Sequence, residues 1–261
     1  MKRGLYRTEA VILNSFDYGE SDRILAFYTE AHGKLKGIAK GARRSRKRFV
    51  GNLEPASHIT LGFFYTEKSE LVRVESVALV DGFTNVRRDI ERLSEACYIV
   101  ELAAEMTREG MHVPAVYGLI LSFLNMLNRG GPAGVVLRFF EIKLLSALGL
   151  MPRLDACVAC RRDFGGGNAG GGRVSFNSDR GGAVCSRCDG GALTNIRISA
   201  GSARFLCAAE RLDADKLGRL RPNALFVKEA GAVLDDFIRH QIGKELKTRV
   251  FLDKLRGAAD C

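Results

Sequence analysis

The sequence lacks any run of about 18 apolar residues, the length a membrane-crossing helix needs. Its most apolar segment, Val116 to Leu127, is broken by Gly118, Ser122 and Asn125. No transmembrane helix is expected. A secretory leader pattern is also missing. After Lys2 and Arg3, the apolar run Ala10–Leu13 gives way at once to Asn14, Ser15 and Asp17. A cytoplasmic location is the expectation. There is no Gly-x-x-x-x-Gly-Lys-Ser/Thr loop, so a P-loop ATPase is excluded. His-Glu-x-x-His and Gly-x-Ser-x-Gly are absent as well. The four histidines (His32, His58, His112 and His240) are scattered and have no obvious partners. Asp213/Asp215 and Asp235/Asp236 read as solvated helix residues. Nothing assembles an acid–base pair, so the chain reads as a binding protein and not as an enzyme.

Negative charge is missing from one stretch in particular. No Asp or Glu occurs between Glu30 and Glu54. That stretch holds Lys34, Lys36, Lys40, Arg43, Arg44, Arg46, Lys47 and Arg48, eight cations in fifteen residues. Lys34 to Lys40 alternates like a strand, with the lysines on the outward face. Gly41 to Arg48 has small residues among clustered arginines, a loop able to follow a phosphate backbone. The whole chain carries a net charge of +10, which points to a polyanionic partner. About six phosphate contacts would give a log–log salt slope of about −4 on single strands. Phe16, Tyr18, Phe49, Phe63, Phe64 and Tyr65 lie near in sequence. Some must fill a core, and the sequence does not separate those from candidates for stacking on bases.

The first 80 residues or so read as β structure. Five short runs, Glu9–Asn14, Asp22–Thr29, Lys34–Lys40, His58–Tyr65 and Leu71–Leu79, are separated by turn signals such as Asp17-Tyr18-Gly19-Glu20. A small closed barrel accommodates them, because closure removes exposed edges. From Thr84 the period turns helical, with Val86, Ile90, Leu93, Cys97, Val100 and Ala104 on one stripe, Thr84 as N-cap and Gly110 as stop. Further helices are expected over 114–128, 133–148, 202–209, 225–241 and 246–256. The fold class is therefore α+β. With 261 residues, two or three domains are expected. These are a barrel over 1–80, a helical domain over 81–156 and 195–261, and a module over 157–194 inserted in it.

That module contains the most specific chemistry. Seven cysteines, an odd count, argue against a disulfide framework. Four of them form Cys157-Val158-Ala159-Cys160 and Cys185-Ser186-Arg187-Cys188. Two such knuckles give a tetrahedral shell with no open position, which is a structural zinc site. An iron–sulfur cluster satisfies the ligand count, but paired knuckles favour zinc. Neither pair follows a strand of a thioredoxin-like unit, which weakens a redox role. Arg161, Arg162 and Arg187 are expected to favour the thiolates, and Gly181 and Gly182 to form the bend into the second knuckle. The segment between the knuckles is polar and is expected to lack a core of its own. Gly165–Gly172 reads as a loop.

Several motifs together resemble one family. They are Ala10–Asp22, Leu25–Gly33, Ala39-Lys40-Gly41-Ala42-Arg43-Arg44, Leu53-Glu54-Pro55, Leu148–Pro152 leading into Cys157 and Cys160, Gly181–Cys185, and His240–Arg249. Ala39 to Arg44 is the most telling. Nearly the whole chain resembles the bacterial RecO recombination and repair proteins. The resemblance implies an N-terminal OB-fold, a helical domain and a zinc module. It implies a recombination mediator, located at the nucleoid, that binds single- and double-stranded DNA and anneals complementary strands. With RecR, such a protein helps load RecA onto DNA coated by single-strand-binding protein, whose acidic C-terminal tail it contacts. Some members of the family lack the cysteines, which implies that one structural Zn2+ serves stability before activity. The Gly165–Gly172 stretch departs from the family pattern. The rival readings are an RNA-binding or ribosome-associated zinc protein, an enzyme with a structural zinc, and a pure scaffold.

Overall fold

The structure is a computed structural model. It describes residues 1–45, 48–49, 53–132, 134–164, 173–191, 196–213, 216 and 222–259. The chain divides into two compact units, residues 1–133 with 246–261, and residues 134–245.

In the first unit, five strands form a closed barrel. They are β1 (Gly4–Tyr18), β2 (Asp22–Thr29), β3 (Gly33–Ala39), β4 (His58–Tyr65) and β5 (Val72–Asp81), in the order β1-β2-β3-β5-β4. This is the OB-fold. Closure rests on the length of β1. Its first half, Gly4 to Val11, pairs with β4, and its second half, Ala10 to Tyr18, pairs with β2. A register shift between Ile12 and Asn14 bends the strand from one partner to the other. It also explains why the sequence showed only Glu9–Asn14. Ala10 to Leu13 are all buried, so the strand has no alternation where it is most constrained. Ala10 and Ile12 join the barrel core, while α2 and α3 cover the other face of β1. Gly37 sits where β3 meets β5 in parallel. A Cβ there would lie 2.9 Å from Val74 and 3.0 Å from Val72, so glycine permits the approach.

The helices of this unit are α1 (Thr84–Arg87), α2 (Ile90–Met106), α3 (Pro114–Asn128) and the C-terminal α7 (Lys247–Ala259). The stripe beginning at Thr84 is two helices and not one. Asp89 interrupts it, because its carboxylate accepts from the backbone N–H groups of Glu91 and Arg92 and starts α2 afresh. Cys97 is only half-buried on that stripe. Glu101 of α2 caps α7 by accepting from Lys247 N (3.1 Å) and Thr248 N (2.9 Å). Arg256 of α7 donates to the fully buried Glu95 at 2.7 Å.

In the second unit, α4 (Val135–Ala147), α5 (Ala200–Arg211) and α6 (Ala224–Ile242) accompany a sheet of β6 (Arg173–Asn177), β7 (Gly182–Val184) and β8 (Ile196–Ser199), in the order β7-β6-β8. The polar segment between the knuckles thus joins β8, which follows it, in a buried core shared with a helix, and is more ordered than its composition suggests. Val174, Phe176, Ala183, Val184 and Ile198 are buried, and Phe176 meets Phe237 of α6 edge-on at 6.0 Å. Five apolar side chains suffice because the sheet rests on a helix and does not stand alone. Asp235 is not a solvated carboxylate either. It accepts from Arg138, 3% exposed, at 2.9 Å, and Arg138 also pairs with the fully buried Glu141 at 2.9 Å. Asp213 pairs with Lys216, and Asp215 lies outside the described residues. Among the described residues, no helix is long and apolar enough to cross a membrane.

Candidate functional site: a cationic barrel loop and a metal centre

The cationic run leaves the barrel at the end of β3. Gly41 N–H donates to the Asp22 carboxylate at 2.8 Å, and Arg43 N–H donates to Ser21 O at 3.0 Å. The loop after β3 is thereby tied to the turn between β1 and β2. The Gly41 N–H, then the Ser21 hydroxyl and Lys40, hold the Asp22 carboxyl below its usual range, against desolvation. Lys36, Lys40, Arg43, Arg44 and Arg48 are exposed. Arg46 and Lys47 lie outside the described residues.

Lys34 differs from the others. It does face outward from β3, but the C-terminal end of α2 covers that position. Its ammonium donates to Thr107 O at 2.8 Å and to Ala104 O. Burial, with repulsion from Lys36, holds its pKa below the ordinary lysine value. Lys34 caps a helix, where a cation meets unsatisfied carbonyls. Lys36 pairs with Glu109.

The loop also has acidic neighbours that the sequence places far away. Asp17 pairs with Arg23 (3.2 Å) and Arg43 (3.5 Å), and Glu20 with Arg44 (3.6 Å). Arg23 pairs with Glu54 as well, at 3.1 Å. These pairs are exposed and weak, so a phosphate can displace the carboxylates. Arg48 lies over the Phe49 ring at 5.0 Å.

The six aromatics now separate. Phe49 and Phe63 are buried in the barrel, and Tyr65 packs against its core. Phe64 lies under Arg3 (5.9 Å) and Arg73 (5.7 Å). Phe16 is 50% exposed and Tyr18 is 54% exposed. The bulge in β1 hid this in the sequence, because alternation read from Ala10 is out of step beyond it.

The histidines also acquire partners. His58 Nε2 lies 2.9 Å from Glu9 Oε2 and 3.0 Å from the Tyr117 hydroxyl, which itself donates to Glu9 at 3.0 Å. His112 meets Glu30 O at 2.9 Å, and His240 lies 3.4 Å from Asp179.

In the second unit, the sulfurs of Cys157, Cys160, Cys185 and Cys188 lie within 4.8 Å of one another. Cys160 Sγ and Cys185 Sγ are 3.7 Å apart. A disulfide requires about 2.05 Å. A tetrahedron with metal–sulfur bonds of about 2.3 Å requires about 3.8 Å between sulfurs. The cluster therefore fits a tetrahedral metal ion. Each knuckle is a tight turn: Arg161 N–H donates to Cys157 O (2.8 Å), and Cys188 N–H to Cys185 O (2.8 Å). Arg161 takes a positive φ of 62° to make the first turn. Gly182 lets the strand leading to the second knuckle press on Arg153, since a Cβ there would lie 2.3 Å from Arg153 O.

Burial pushes the Cys157 thiol up. Backbone N–H groups of Cys160, Cys185 and Ala159 outweigh this and bring it to about 6. Hydrogen bonds with Cys185 and Cys160 hold Cys188 up at about 12. Four sulfurs this close ionise together only around a cation. Backbone N–H groups and the neighbouring Cys160 favour the Cys157 thiolate, and Arg161, Arg162 and Arg187 are exposed.

Comparison with known proteins agrees with this architecture. Residues 1–83 match the family model described as Recombination protein O N terminal, and residues 87–249 match Recombination protein O C terminal. A protein named DNA repair protein RecO from Anaeromyxobacter sp. (strain K) is 37% identical, covering 94% of each chain. Its namesake from Syntrophus aciditrophicus (strain SB) is 33% identical over 97% of each chain. That from Moorella thermoacetica is 33% identical over 97% of this chain and 92% of its own. An OB-fold barrel, a helical region with a four-cysteine cluster and these matches across almost the whole length establish that the chain belongs to the RecO family of DNA repair and recombination proteins.

Proposed function

We propose that this chain is a recombination mediator. It binds single- and double-stranded DNA through the loop after β3 and anneals complementary strands. With RecR, it helps load RecA onto DNA coated by single-strand-binding protein. The observation that carries the reading is the exposure of Lys36, Lys40, Arg43, Arg44 and Arg48 at one end of an OB-fold barrel. Arg46 and Lys47 continue the run in sequence. Cations there neutralise phosphates on two strands and reduce their mutual repulsion, so annealing requires neither ATP nor a catalytic group. Lys34 belongs to the run by sequence but supports α2, so we assign it no phosphate.

One Zn2+ on Cys157, Cys160, Cys185 and Cys188 is the reading supported by four thiols at tetrahedral spacing. The ion would cross-link the two knuckles and stabilise β6 and β7, which lie between them. The acidic tail of single-strand-binding protein requires a site that is basic and partly apolar. We place it on the helical domain or the basic C-terminal region; the apolar pocket lined by Leu154, Phe164, Val174 and Ala203 is a weaker match, because Asp155 and Asp163 balance its Arg204 and Arg211. The expected location is the cytoplasm, at the nucleoid.

The test is a strand-annealing assay with complementary labelled oligonucleotides and no nucleotide cofactor, with and without RecR. Acceleration that survives a chelator of Mg2+ supports the reading. Absence of both binding and annealing contradicts it.

A further inference from the structure

The barrel carries an apolar row on its outside. From Asn14 onward β1 is in regular register with β2, so Phe16 pairs with Ile24, and Ile24 pairs with Ile38 of β3. Leu25, one residue away, is in the barrel core. Phe16, Ile24 and Ile38 therefore point outward on three adjacent strands. Tyr18, two residues on, extends the same face and pairs with Asp22. Asp22 in turn holds Gly41, where the cationic loop begins. Lys36 stands on the same outward face, paired with Ala26, which pairs with Asn14. Single exposed aromatics are common and require no explanation. Two on one face, continuous with two isoleucines and bordered by cations, form a patch.

We propose that Phe16 and Tyr18 are the stacking platform for the bases of single-stranded DNA held by the cationic loop. This rests on the DNA-binding reading above and adds to it the residues that distinguish a single strand from a duplex. Charge complementarity selects the occupant. The surrounding Lys36, Lys40 and Arg43 attract a polyanion, and a nucleic acid strand with free bases offers both phosphates and flat apolar faces. A duplex keeps its bases stacked inside and presents phosphates alone. Residues two apart on an antiparallel strand have Cα atoms about 6.8 Å apart. That is about twice the rise of about 3.4 Å per nucleotide of a stacked strand. Adjacent bases seated on both rings are consequently drawn apart from each other and held in an extended strand.

The absence of tryptophan makes the test direct, because the Phe16→Trp variant carries the chain's sole indole. Its emission is expected to fall on adding a dT oligonucleotide. It should stay constant with an abasic oligonucleotide of equal length and with duplex DNA. In the full-length protein, Phe16→Ala and Tyr18→Ala should each weaken dT binding by roughly 5- to 150-fold, the range that stacking one base on an aromatic ring gives. Binding of abasic and duplex DNA should not change. Both side chains are exposed, so thermal unfolding should match that of the parent protein. Unquenched emission together with unchanged dT affinity overturns the platform but leaves the cationic loop standing. Equal loss on dT and abasic strands shows that the rings hold the loop and not bases, and also overturns it. A change in sedimentation with dT affinity intact assigns the patch to a second copy of the chain and likewise overturns the platform. If the parent protein binds none of these DNAs, the DNA-binding reading fails first.

Discussion

Replacing Lys34 by methionine separates the two roles that a lysine in a basic run can play. Methionine keeps most of the apolar stem and removes the charge. The structure gives the ammonium two carbonyl partners at the C-terminal end of α2, Ala104 O and Thr107 O. A hydrogen bond from a charged donor contributes about 1.5–3 kcal/mol, and a cation at a helix C-terminus about 0.3–1 kcal/mol. The cost of holding the ammonium away from water offsets part of this, as its lowered pKa indicates. A net loss of about 2–3 kcal/mol follows. In a unit of this size each kcal/mol shifts Tm by about 2–4 °C, so Tm should fall by roughly 5–10 °C. Urea and thermal unfolding measure this. Binding to a dT oligonucleotide, measured well below Tm across a salt series, should keep its slope. Lys40→Ala should do the reverse, with Tm unchanged and a shallower slope. Intact stability in Lys34→Met, with a slope reduced as in Lys40→Ala, would refute the helix-capping role.

Other outcomes follow from the same geometry. Asp17→Asn with Glu20→Gln frees Arg43 and Arg44 from their carboxylates, while Arg23 keeps its pair with Glu54. DNA affinity at low salt should rise several-fold in filter binding, and the gain should shrink as salt screens the charges. Cys185→Ser, or a strong chelator, should destabilise the second unit first, seen as a lower melting transition. DNA binding below that transition should persist, because the cationic loop is on the barrel. The Asp22 carboxyl is held low mainly by Gly41 N–H. A depressed folded-state pKa adds stability above the unfolded value, near the ordinary aspartate value of 3.8. That contribution is lost as pH falls through the folded value. The pH dependence of unfolding in that window should flatten in Asp22→Asn.

The sequence revealed much of this fold because its signals are local. Strands β2, β3 and β4, and helix α3, end within a residue or so of where turn residues and period place them. The cysteine quartet was legible for the same reason, since a Cys-x-x-Cys knuckle is a short-range object. What stayed hidden depends on distance or on a break in period. The register shift near Asn14 put Phe16 and Tyr18 on a face that no alternation from Ala10 predicts. The carboxylates that oppose the cationic run, Asp17 at Arg43, Glu20 at Arg44 and Glu109 at Lys36, come from other segments of the chain, so a count of charges along the sequence overstated how bare the run is. Lys34 looked like its neighbours until α2 was in place. The β6–β8 sheet was missed because its strands are three to five residues long. Runs that short carry little periodic signal, and a helix supplies much of their burial.

The central claim is that the cations after β3 hold the DNA backbone. Its most direct test is the slope of log affinity against log salt for a dT oligonucleotide, in the parent protein and in the combined Arg43, Arg44, Arg46, Lys47 and Arg48→Ala variant. Single-strand contacts contribute about −0.7 each. A slope of about −4 is predicted for the parent and close to −1 for the variant, with the barrel's thermal transition unchanged. Equal slopes in the two folded proteins would place the phosphate contacts elsewhere on the chain and contradict the claim.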